Sequence, residues 1–169
     1  MIYAKAAQRP IRANYWTGGN APRLVICHIM QGTLLGTDAW FRNEESEVSA
    51  HFGVGKTGQV FQWVDTDSRA WHAEQANDYS IGVEHEGFAG TPLTAAQIEA
   101  TAGIFAWARK QYPAIGDWLN VRPFKGSGLS WHGLGGAEWG DHPGCPSPAI
   151  VAQLPDILAK SKAPAPPAA

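Results

Sequence analysis

The chain has 169 residues, a length that favours one domain able to bury a proper core. Its formal net charge is -2 and its 13 Lys and Arg residues are scattered, which excludes the concentrated basic surface that a nucleic-acid binder needs. Nowhere do about 18 apolar residues follow one another, and the basic opening MIYAKAAQRPIRANYW lacks the apolar run of a signal peptide, so a soluble product made in a cytoplasm, without membrane insertion, is expected.

In chain order, residues 23–29 form a short, β-rich apolar run ending near His28, as a central strand would. Residues 38–47 predict a helix with Thr37 or Asp38 as N-cap, and Glu44, Glu45 and Glu47 read as its solvated face. Two β-prone runs, 48–54 and 59–64, flank Gly55-Lys56-Thr57-Gly58 and predict a hairpin. Residues 70–73 and 80–86 are further short strands, joined by the polar stretch 74–78. Thr94 with Gln97 makes a capping box, and Ile98, Ala102, Phe105, Ala106 and Arg109 trace one face of a helix that stops at Pro113. A loop rich in Gly and Trp, 125–144, precedes a last helix with Ser147 as N-cap and Pro148 in its first turn. These elements predict a single α/β domain over 1–162, with a Pro/Ala-rich tail or linker at 163–169. No internal repeat is visible.

Three residues carry the chemistry. His28, His132 and Cys145 are of types that bind zinc, and three protein ligands leave a fourth tetrahedral position open, as in a catalytic centre. Two cysteines cannot build a disulfide framework. Cys27 should face away from His28 and pack as a small apolar residue. Taken singly, His51, His72 and His85 read as satisfied polar residues rather than ligands. Among the eight tryptophans, Trp63, Trp107 and Trp118 read as packing residues.

The run VSAHFGVGKTGQVFQWVDTDSRAWHA, then NDYSIGVEHEGF and the helix from Thr94, resembles the zinc-dependent N-acetylmuramoyl-L-alanine amidases of the type 2 family. That family includes phage endolysins, a cytoplasmic recycling amidase and the peptidoglycan recognition proteins. The resemblance spans residues 23–158. It implies a mixed central β-sheet flanked by helices, one zinc ion per chain in a surface groove, a peptidoglycan or muropeptide substrate, and hydrolysis of the amide between muramic acid and L-alanine. It also implies a monomer.

Carried onto this sequence, the family pattern makes His28, His132 and Cys145 the ligands, with Asp141 as a rival to Cys145. Ser147 stands where relatives commonly have Gly. Glu84 matches the strand-borne proton relay; Glu86 shares its face, so alternation alone does not separate the two. Ala50 precedes His51 where some relatives have Tyr, which leaves more of the load on Glu84. Pro143 replaces a Lys that many relatives use on the developing oxyanion, making His142 the nearest candidate donor. The resemblance places Trp71, Trp131 and Trp139 on the groove and gives His51, Trp71, His72, Asn77 and Trp131 to substrate contacts. An endolysin acting on the wall after release is the expected role, with a recycling amidase or a non-catalytic binding module as alternatives. A cysteine hydrolase using Cys145 or Cys27 with a histidine is a further reading.

Overall fold

The computed structural model describes residues 1–122 and 126–163. The expected tail therefore lies, apart from Ala163, outside the described residues, as does Lys125 at the start of the expected loop. In chain order the strands and helices are β1 (Ala7–Gln8), β2 (Tyr15–Gly19), β3 (Leu24–Ile29), α1 (Leu34–Phe41), β4 (Phe52–Val54), β5 (Val60–Gln62), β6 (Ser68–Ala70), β7 (Ser80–His85), α2 (Ala95–Gln111), β8 (Gly128–Trp131), α3 (Pro148–Val151) and α4 (Leu154–Lys162). Three 3-10 segments, Glu44–Ser46, Glu74–Asp78 and His132–Trp139, fill the loops.

The main sheet runs β1-β5-β4-β7-β3-β8 and is mixed: only the β4/β5 hairpin is antiparallel. All six residues of β3 are buried, as expected of a parallel strand covered on both faces. One face holds Val25, Cys27, Ile81, Val83 and Leu129 against Ile98, Ala102 and Phe105 of α2 and Leu154 and Ile157 of α4. The other face carries two smaller clusters. Leu34, Phe41 and Trp63 form one, and Leu24, Ile26 and Trp139 the other. The groove opens where the carboxyl ends of β3 and β7 meet these loops, the usual ligand position in α/β sheets.

The hairpin and the α2 capping box form as expected: Thr94 and Gln97 exchange hydrogen bonds of 3.0 and 3.1 Å. Elsewhere boundaries move. α1 starts four residues before Asp38, because Thr33 takes the N-cap and accepts the Gly36 N–H at 3.0 Å. Asp38 instead lies buried between Arg9, Arg42 and the Trp63 indole N–H. The expected strand at 70–73 is Ser68–Ala70, fixed by pairing with β2, which the sequence reading did not assign. β8 likewise sits inside the expected loop, paired with β3. The last helix is two pieces, with Pro155 in the first turn of the second. No described helix is long and apolar enough to cross a membrane.

Candidate metal centre and groove

His28 and Glu84 sit side by side at the ends of adjacent parallel strands, β3 and β7. Alternation sends Cys27 and Val83 into the core and leaves His28, Gly82 and Glu84 on the opposite, groove face. β8 then delivers His132 directly after its last residue, Trp131. Cys145 is held close by Gly133, whose N–H donates to the Cys145 carbonyl at 2.7 Å. A side chain at Gly133 would lie 2.8 to 3.1 Å from the carbonyls of Pro143, His142 and Cys145, so only glycine lets the loop approach.

Among the described residues, His28, His132 and Cys145 form a donor group whose ligand atoms all lie within 4.8 Å of one another. The two Nδ1 atoms are 3.1 Å apart, and Cys145 Sγ is 3.9 Å from that of His28. The Nε2–H of His132 donates to the Trp139 carbonyl at 2.6 Å, so in the neutral ring its Nδ1 carries only a lone pair. Two imidazole nitrogens and a thiol are a donor set suited to a borderline-soft cation. Asp141 is exposed on the groove rim and outside this donor group, which favours Cys145 over its rival.

Electrostatics agree with that use. Burial, reinforced by the neighbouring histidines, holds His28 well below the usual histidine range, and burial lowers His132 to about 4. Both rings are therefore neutral and able to coordinate near pH 7. Burial pushes the Cys145 thiol up to about 12, with the Glu84 charge adding to the effect. A metal-free cysteine nucleophile needs the opposite, a depressed thiol, and Cys27 is fully buried in the core. Burial raises Glu84 to about 8, and its Oε2 is shielded without a hydrogen-bond partner. Glu86, on the same face, accepts the Lys56 N–H at 2.8 Å and serves the hairpin turn.

The groove encloses about 780 Å³ and is lined by Trp71, His72, Asn77, Glu84 and His142 among the residues expected there. His142 is exposed, with its ring 4.7 Å from that of His132. His72 and Asn77 line the groove but are buried, and Asn77 Oδ1 accepts the backbone N–H groups of His72 and Ala73. His51 is not brought to the groove. It is fully buried, accepting the Gly82 N–H at Nδ1 and donating from Nε2 to the Ser68 carbonyl, so it offers nothing to a ligand. Trp131 packs against the main core instead. Trp139 lines the groove as expected, but its side chain is fully buried and it is the Trp139 carbonyl that accepts from His132. Trp118, expected to pack, is 53% exposed.

Sequence reasoning missed Trp16, which lies 5.1 Å from Trp71 and widens the aromatic wall. The aromatic pair Tyr15-Trp16 ahead of Gly18-Gly19 was the available strand signal. It also missed Ser80, whose hydroxyl lies 3.2 Å from His72 Nε2.

Fold and donor set together define an α/β protein with a candidate metal centre at the floor of an open groove. The family model described as N-acetylmuramoyl-L-alanine amidase matches residues 18–145, and the chain belongs to that family. It is 41% identical over 95 residues to N-acetylmuramoyl-L-alanine amidase A of Achromobacter lyticus, covering 54% of each protein. It is also 41% identical over 78 residues to the 1,6-anhydro-N-acetylmuramyl-L-alanine amidase AmpD of Enterobacter cloacae, covering 41% of this chain and 42% of that one. The matches thus span about half or less of these relatives. A crystal structure of a selenomethionine AmpD derivative superposes with a TM-score of 0.72 at 23% identity, over 92% of this chain and 96% of that one, which shows the shared fold.

Proposed function

We propose that this protein is a zinc-dependent amidase that hydrolyses the amide between N-acetylmuramic acid and L-alanine in peptidoglycan or its fragments. The observation that carries the reading is the meeting of His28 Nδ1, His132 Nδ1 and Cys145 Sγ beside Glu84 in a chain of this family. These three residues would hold the metal. When bound, zinc supplies Lewis acidity, polarising the scissile carbonyl and lowering the pKa of water toward about 7. Glu84 takes the proton from the attacking water and returns it to the leaving nitrogen. A neighbouring divalent cation favours its carboxylate form and so counters the effect of burial. His142, exposed with its ring 4.7 Å from that of His132, is the donor in this reading to the developing oxyanion. Trp71 and Trp16 offer apolar faces to the sugar or peptide.

Similarity to AmpD of Enterobacter cloacae supports action on soluble anhydro-muropeptide as a second reading beside that of a wall-acting endolysin. One experiment separates them: release of stem peptide from intact sacculi and from soluble anhydro-muropeptide, with the protein chelated and then restored with zinc. Zinc-restored activity on either substrate supports the amidase, and the preferred substrate decides the role. Inactivity on both after restoration removes the enzyme reading.

A further inference from the structure

Of the four histidines that line the groove, His72 is the one with no part in the proposed reaction. His72 Nδ1 lies 3.0 Å from His28 Nε2, and His72 Nε2 lies 3.2 Å from Ser80 Oγ. Ser80 in turn donates its hydroxyl proton to the Ala76 carbonyl at 2.6 Å. A carbonyl only accepts, so the direction of every bond in the row follows. Ser80 has spent its proton and must accept from His72 Nε2–H. The neutral His72 ring then has a bare Nδ1, which accepts from His28 Nε2–H. That leaves the His28 lone pair on Nδ1, facing His132 Nδ1 and Cys145 Sγ.

We propose that His72, oriented by Ser80, is the positioning residue that fixes the tautomer and ring plane of His28 for metal binding, and is not a substrate contact. The surroundings are built for this. The two rings meet edge to face, with centroids 5.0 Å apart at 83°. Asn77 holds the His72 backbone, and Gly82 clears space for its ring: a Cβ at Gly82 would sit 2.6 Å from it. Outer partners of this kind commonly alter metal affinity by about 10–100-fold when removed. In this chain the partner is a neutral imidazole, so it orients His28 without adding negative charge to the centre.

The inference rests on the metal reading of His28, and the test separates the two. Nitrogen-15 NMR of the metal-free protein at neutral pH should show both His28 and His72 as Nε2–H tautomers. Competition with a chromophoric chelator should show His72→Ala binding zinc about 10–100-fold more weakly, with circular dichroism unchanged. His72→Gln, which retains an acceptor oxygen, should recover most of that loss. Ser80→Ala should weaken binding less and leave His72 a tautomer mixture. His28 as the Nδ1–H tautomer, or wild-type zinc affinity in His72→Ala, overturns the proposal. Failure of the wild-type protein to bind zinc overturns the metal reading instead, while the tautomers still decide the His72 row.

Discussion

His28 and Glu84 are register partners across β3 and β7, so a candidate ligand and the candidate proton carrier share one rung of the sheet. Neighbouring strands lie about 4.8 Å apart, and side chains on one rung of the same face stay at that spacing. Their separation is set by backbone pairing rather than by loop conformation. Few arrangements hold two reacting groups more firmly.

Glu84→Gln should therefore retain the metal and lose turnover by about 10²–10⁴-fold, because the amide keeps the shape and cannot relay a proton. In the wild type, activity should rise with pH as Glu84 ionises. Burial alone sets that carboxyl at about 8, and a bound cation moves the limb below this value. A pH–rate profile on the metal-loaded enzyme checks the limb, and metal analysis of the variant checks loading. A Glu84→Gln enzyme with unchanged rate would remove Glu84 from the reaction.

The third ligand can be tested through protons. Burial holds the Cys145 thiol at about 12, so metal binding must expel its proton, and affinity should fall about tenfold for each unit that pH drops below neutral. Cys145→Ala should abolish tight binding, whereas Asp141→Asn should leave it within a few-fold of wild type. Titration calorimetry in buffers of different ionisation enthalpy counts the released proton.

Acid should destabilise the metal-free protein through its buried neutral histidines. Burial lowers His51 and His85 to about 4, against roughly 6.5 in the unfolded chain. Their contribution is complete above about 6.5 and is lost as pH falls toward 4, each adding a slope of about 1.4 kcal/mol per pH unit. Glu84 acts in the opposite sense: its raised folded value makes stability fall as pH rises from its ordinary range through about 8. Urea unfolding across pH 4–9 should show an acid-side loss that His51→Gln reduces and an alkaline-side loss that Glu84→Gln removes.

Gly82→Ala places a methyl against the His72 ring, at 2.6 Å in the unrelaxed structure. Overpacking of this kind costs about 1–3 kcal/mol. Denaturant unfolding should report that loss, and an unchanged midpoint would show that His72 moves aside without cost.

Much of the site was legible because it depends on period-two alternation and on residue type. Cys27 and His28 separate to opposite faces as a strand requires, and His28, His132 and Cys145 meet as their shared chemistry suggested. Glu84 and Glu86 were inseparable by alternation, since position along the strand decides which one reaches the groove. His51 is the satisfied polar residue that its own sequence context suggested; the substrate contact came from the family pattern, which does not carry the backbone partners that both its nitrogens find on distant strands. β2 and β8 escaped for a related reason. Each is short, and its place is fixed by a partner remote in the chain. Asp38 resembled a helix cap, yet its carboxylate is buried and paired with two half-exposed arginines, Arg9 and Arg42.

His28 is also gripped from the far side of the sheet. The ring of His85 lies 2.8 Å from the His28 carbonyl through Nδ1 and 2.9 Å from Thr101 of α2 through Nε2. The groove and the helical layer are thus mechanically linked through one residue of β3. A disturbance that loosens α2 will be felt as slack in the donor triangle before the sheet itself parts, and an ion held there will brace the helix in return. At the proposed metal centre, zinc affinity should therefore be a gauge of how tightly the core is closed.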